Sequence, residues 1–157
     1  MASFFELTCT SMDGETVSME KYRGYVCLVV NVASKCGLTQ VNYTQLAALD
    51  KKYRDHGLRI LAFPSHQFAE QEFATHGEIQ QFVSTFGVTF PLFAKADVTG
   101  PNAQPIFEYL GTRLGAPKWN FTKYLITRDG QPFKKYNPKI PPFDFESDIV
   151  SLLHSKL

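Results

Sequence analysis

The segment YVCLVVNVASKCGLTQVNYTQL, residues 25–46, runs from an apolar stretch through a short polar turn into a helical pattern, with Cys36 at the junction. A helix beginning just after Cys36 exposes unpaired backbone N–H groups there, and its dipole adds roughly half a positive charge. Both favour thiolate over thiol, and the thiolate is the nucleophilic form. Its attack on a peroxide O–O bond yields a sulfenic acid. Lys35 adds a neighbouring cation. The opposing reading is a small buried filler, the usual state of a free cysteine, and position alone leaves both open. Dithiol exchange within this motif is excluded, because CGLT places Thr39 where a CxxC pair needs its second sulfur.

The elements that must position Cys36 follow from periodicity. YRGYVCLVVNVA has a nearly all-apolar, Val-rich interior and reads as a buried central strand. From Leu38 to about Tyr53 the apolar spacing fits an amphipathic helix, with Gly57 placed to terminate it. LRILAFP (58–64) is a second buried strand, and EIQQFVSTFG (78–87) and residues 102–110 are helical patterns. KYLITRDGQPFKKY is a hairpin turning at Asp129-Gly130, and FDFESDIVSLLHSKL closes the chain as a helix. Residues 4–9 with the Asp13-Gly14 turn suggest a short N-terminal hairpin. The order predicts one α/β domain over 1–157 with a thioredoxin-like fold: a central mixed β-sheet flanked by helices, with an N-terminal β-hairpin. Residues that follow the central strand then emerge at the carboxyl edge of the sheet, where open α/β folds bind ligands.

Composition narrows the function classes. The 157 residues are 44% hydrophobic with net charge +1, enough for one core and too neutral for a nucleic-acid footprint. No apolar run approaches the ~18 residues of a membrane span. No His and carboxylate pair has ligand spacing, so no metal or other cofactor is expected. His66 reads as a loop residue at the rim rather than a general base. Cys9, Cys27 and Cys36 are too unevenly spaced for a disulfide framework, and the N-terminus lacks a secretory pattern. The expectation is a reduced, cytoplasmic protein, with an organelle or export leader left open.

The motifs NVASKCGLT, VNYTQL, GLRILAFPSHQF, Gln71-Glu72 and KWNFTKYLI, in this order and spacing, resemble the glutathione peroxidase family across nearly the whole chain. Within it the chain is most similar to the small phospholipid-hydroperoxide type. The resemblance implies an antioxidant peroxidase that reduces hydrogen peroxide and organic hydroperoxides, membrane lipid hydroperoxides among them, with glutathione as reductant. It places Cys36 at the peroxidatic position, which holds selenocysteine or cysteine in the family, and matches Gln71, Trp119 and Asn120 to the remaining catalytic tetrad. Two amides and an indole N–H can donate to a thiolate or a departing oxyanion without titrating. Ala69 stands where the family's GxQE element has glycine. The short connection from Leu110 to Trp119 implies a monomer, because it cannot hold the loop on which family tetramers assemble.

Departures from the family pattern bear on regeneration. Ser65 and Ser84 occupy or adjoin places where many cysteine-type members carry a resolving cysteine. Cys9 and Cys27 read as structural thiols, so the expected cycle uses Cys36 alone: sulfenic acid, mixed disulfide with glutathione, release by a second glutathione. The same gap allows selenocysteine in the natural protein, which a UGA codon for position 36 would reveal. Lys35, Arg113, Lys118 and Lys123 flank the motifs and are candidate contacts for the carboxylates of glutathione. Leu38 and Phe68 are a candidate apolar rim. Two other readings remain: a redox sensor relaying oxidation to partner thiols, and a thioredoxin-dependent peroxidase working through Cys9 or Cys27.

Overall fold

The apolar run after Tyr25 becomes the middle of a sheet, and every part of the candidate site is attached to it. The computed structural model describes residues 3–155. In chain order it contains β1 (Thr8–Thr10), β2 (Thr16–Ser18), β3 (Val26–Val32), α1 (Thr39–Tyr53), β4 (Leu58–Pro64), α2 (His76–Ser84), α3 (Pro105–Leu114), β5 (Lys123–Ile126), β6 (Pro132–Tyr136) and α4 (Glu146–His154). The main sheet has the order β4-β3-β5-β6, and β1 and β2 form a separate antiparallel hairpin.

β3 is buried at all seven positions. It pairs in parallel with β4, from Val26 opposite Leu58 to Val32 opposite Pro64, and antiparallel with β5. A parallel pair needs a crossover, and α1 supplies it. The two-residue period of β3 feeds two cores. Val26, Leu28, Val30 and Val32 face α1, α2 and α4, while Cys27 and Val29 face α3 and the N-terminal segment. This mixed sheet between helical layers is the thioredoxin-like architecture expected from the sequence. Truncating a core side chain such as Leu28 to Ala costs about 2–5 kcal/mol.

Local differences from the sequence pattern have identifiable causes. Residues 4–6 coil into a 3-10 turn that encloses both Phe4 and Phe5, and only Thr8–Thr10 pair. α2 begins two residues earlier than expected, because Thr75 and Glu78 close a capping box. α3 starts at Pro105, which suits the first helical position, and extends to Leu114. A 3-10 turn over Pro142–Phe145 precedes α4, and the last residues of the expected helix, 156–157, lie outside the described residues. Gly57 ends the turn after α1 at φ 109°, where an added Cβ would lie 2.7 Å from the Arg128 guanidinium.

Candidate active site

Three loops meet at the carboxyl end of β3. In the first, Thr39 ties the turn that carries Cys36. Its hydroxyl donates to Ala33 O at 2.8 Å and accepts from the Cys36 N–H at 3.1 Å, and its own N–H donates to Cys36 O. The residue standing where a CxxC motif has its second sulfur therefore holds the first sulfur's turn in shape. The Leu38 N–H points at Cys36 Sγ, 3.4 Å away, so a backbone donor at the start of α1 is aimed at the sulfur.

The second loop carries Gln71. Its carbonyl accepts from the N–H groups of Ser34 and Lys35, at 3.1 and 2.8 Å. Glu72 is buried, and its Oε1 accepts from the Ser34 hydroxyl at 2.5 Å and the Phe73 N–H at 3.0 Å. Burial raises the Glu72 carboxyl above its ordinary range, opposed by these donors and by Lys95. His66 is exposed and donates from Nδ1 to Glu72 O, a loop tie rather than a base in the cleft. Ala69 and Glu70 both adopt left-handed conformations, at φ 54° and 52°.

The third loop brings in Trp119 and Asn120. Asn120 is fully buried and its Nδ2 donates to Gln71 Oε1 at 3.0 Å. That bond occupies the oxygen of the Gln71 amide and leaves its N–H₂ group for other partners. Trp119 is 36% exposed and packs on Phe68, with ring centroids 5.8 Å apart.

Cys36, Gly37, Leu38, Gln71, Lys118, Trp119, Asn137, Pro138 and Lys139 line one cleft of about 560 Å³. Cys36, Gln71 and Trp119 thus share an open cavity, while Asn120 stands behind it and orients Gln71. The outer wall, Asn137 to Lys139, escaped the sequence reading. It follows β6 and arrives from about a hundred residues beyond Cys36, with no local signal.

The candidate cations separate. Lys118 lines the cleft. Lys35 is exposed, with Nζ 4.7 Å from the Phe73 ring centroid. Arg113 lies on α3, stacked 3.7 Å over Tyr109 and outside the cleft lining. Lys123 has to be corrected as a surface contact: β5 carries it inward, fully buried, and its Nζ donates to Pro138 O and Ile140 O. Burial pulls this amine down to about 7. Cys9 and Cys27 are enclosed, and burial pushes both thiols up to about 12. Among the described residues no three His, Cys, Asp or Glu side chains are grouped to hold a metal. Nor is any helix among them long and apolar enough to cross a membrane.

The fold and this site define a class: a thioredoxin-like oxidoreductase built around one accessible thiol. The particular family follows from comparison. The family model "Glutathione peroxidase" matches residues 4–111. The probable glutathione peroxidase 2 of Arabidopsis thaliana is 46% identical, over 96% of this chain and 93% of its own. The phospholipid hydroperoxide glutathione peroxidase of Callithrix jacchus is 44% identical, over 94% of this chain and 78% of its own. The crystal structure of T. cruzi GPX1 superposes with a TM-score of 0.79 at 34% identity, covering 97% of each chain. A thioredoxin-family thiol:disulfide interchange protein from Chlorobium tepidum, at 14% identity, shares the fold alone, with a TM-score of 0.71 over 98% of each chain. The chain belongs to the glutathione peroxidase family, enzymes that reduce peroxides.

Proposed function

We propose that the protein reduces hydrogen peroxide and organic hydroperoxides, phospholipid hydroperoxides included, through Cys36 alone, with glutathione as reductant. The observation that carries this reading is the cleft itself. It joins the one partly exposed thiol of the chain to Gln71 and Trp119, while the other two thiols are enclosed.

The Cys36 thiolate attacks the terminal peroxide oxygen, the O–O bond breaks, and the sulfur becomes a sulfenic acid. The alkoxide leaves and takes a proton from solvent. The Gln71 amide and the Trp119 indole N–H are the donors available to that charge, and neither competes for the proton. One glutathione thiol then displaces water to form a mixed disulfide. A second glutathione attacks that disulfide, releasing oxidised glutathione and the Cys36 thiolate. Lys118 and Lys139 at the cleft edge supply cations for the carboxylates of glutathione. Leu38 and Pro138 give the apolar side against which a bulky hydroperoxide would lie.

Regeneration through thioredoxin would need Cys9 or Cys27 as the resolving thiol. Cys27 lies at the far end of β3, five residues before its last position, or roughly 16 Å along the strand. Neither thiol offers a thiolate near neutral pH. A coupled NADPH assay tests the reading. Sustained turnover with glutathione and its reductase is expected; turnover with thioredoxin and its reductase alone would overturn the assignment of reductant. Oxidation of Cys36 without turnover in either system would identify a sensor.

A further inference from the structure

We propose that Asn31 is a positioning residue for the reaction, holding the turn from Trp119 to Thr122 on the strand that leads to Cys36. The inference rests on the reading of Trp119 and Asn120 as parts of the peroxidatic site. Asn31 lies in β3, fully buried among apolar neighbours. An amide there is costly unless it is hydrogen-bonded. Beside its place in the β3–β4 ladder, opposite Phe63, it makes three bonds to one short segment about ninety residues later. Its Nδ2 donates to Trp119 O at 3.0 Å, its Oδ1 accepts from the Thr122 N–H at 3.0 Å, and its backbone O accepts from the Phe121 N–H at 2.7 Å.

These three bonds grip a strained conformation. Phe121 sits at φ 65°, a left-handed geometry that costs a bulky residue about 1–3 kcal/mol and persists only where its surroundings impose it. The turn sends the Phe121 ring into the core, edge-on to Tyr43 at 5.7 Å. The same turn delivers the Asn120 amide to Gln71 and leaves Trp119 at the cleft. Asn31 does not line the cleft itself. Its effect comes from lying on the strand that leads to the nucleophile: Cys36 follows five residues on, in the turn after β3, so one rigid element sets both the sulfur and the turn that carries Trp119 and Asn120.

The chain's single tryptophan makes this measurable, because all indole fluorescence comes from Trp119. In Asn31→Ser, Trp119 emission is expected to shift to the red and become more accessible to acrylamide. The rate of Cys36 oxidation by hydroperoxide is expected to fall roughly 10- to 100-fold, as misplaced catalytic groups commonly cause. The pH profile of Cys36 alkylation by iodoacetamide is expected to stay that of the wild type, since Leu38 and Thr39 still hold the sulfur. A variant that loses only thermal stability, with Trp119 emission and oxidation rate unchanged, overturns the proposal. If Asn31→Ser does not fold, amide exchange in the wild type decides. The Phe121 and Thr122 N–H groups must be as protected as those of β3, and fast exchange at both refutes the pinning. Trp119→Phe separates the two readings. An unchanged oxidation rate in that variant sinks the site assignment. A slowed Trp119→Phe beside an unimpaired Asn31→Ser sinks the role of Asn31 alone.

Discussion

The Ser34 hydroxyl donates to Glu72 Oε1 at 2.5 Å, joining the loop that bears Cys36 to the loop that bears Gln71. Both groups are buried, so the bond is made away from competing water. Two backbone bonds, from Ser34 and Lys35 to Gln71 O, lie beside it. The clamp explains why Gln71, thirty-five residues after Cys36, faces the same cleft.

Glu72 gives this clamp a pH signature. Burial raises its folded pKa above the ordinary 4.5, so over that window the native chain holds a proton that the unfolded chain has lost. The stability this group contributes is present below about 4.5 and lost as pH rises through the folded value. Glu72→Gln, neutral throughout, is expected to remove that loss in urea titrations compared with the wild type across the acid range. Glu72→Ala leaves the Ser34 hydroxyl and the Phe73 N–H without their acceptor, and should cost about 1–3 kcal/mol. Identical pH dependence in wild type and Glu72→Gln would contradict the account.

Ala69 occupies a left-handed position, φ 54°, which glycine adopts freely and alanine does not. Ala69→Gly should therefore stabilise the fold by about 1 kcal/mol, raising the thermal midpoint by roughly 2–4 °C. Calorimetry of the variant checks this. An unchanged or lower midpoint would contradict the prediction, showing that the strain relieved does not exceed the freedom glycine adds to the unfolded chain.

Lys123 should show the opposite pH trend. Its folded value is about 7 against an ordinary 10.5, so between these values the unfolded chain holds a proton that the native chain does not. The burial penalty is full below about 7 and relieved as pH rises toward 10.5. Chemical denaturation is expected to show wild-type stability rising across this interval relative to Lys123→Met. Parallel curves for the two proteins would mean that the buried amine stays charged.

Much of this was legible in residue patterns, for physical reasons. β3 and β4 are unbroken apolar runs, α1 has helical spacing, and Gly130, at φ 86°, marks the β5–β6 turn. Cys36 could be singled out because a strand-to-helix junction is a distinctive place for a thiol. Gln71, Trp119 and Asn120 were legible only as motifs, since each residue taken alone reads as loop, core or turn. The role of Asn31 left one trace, a polar residue inside an apolar strand, which must find partners once buried. The outer wall at Asn137–Lys139 left none. Lys123 misled because proximity to Asn120 in sequence says nothing of side-chain direction, which the pleat of β5 turned inward.

The central claim is that one sulfur does the chemistry, and trapping it after a single turnover tests this most directly. The reduced protein is mixed with one equivalent of hydroperoxide in the presence of dimedone, and the adducts are located by mass spectrometry. The account predicts a dimedone adduct on Cys36, none on Cys9 or Cys27, and no peroxide consumption by Cys36→Ala. Sulfenic acid on either enclosed cysteine, or undiminished peroxide reduction by Cys36→Ala, would contradict it.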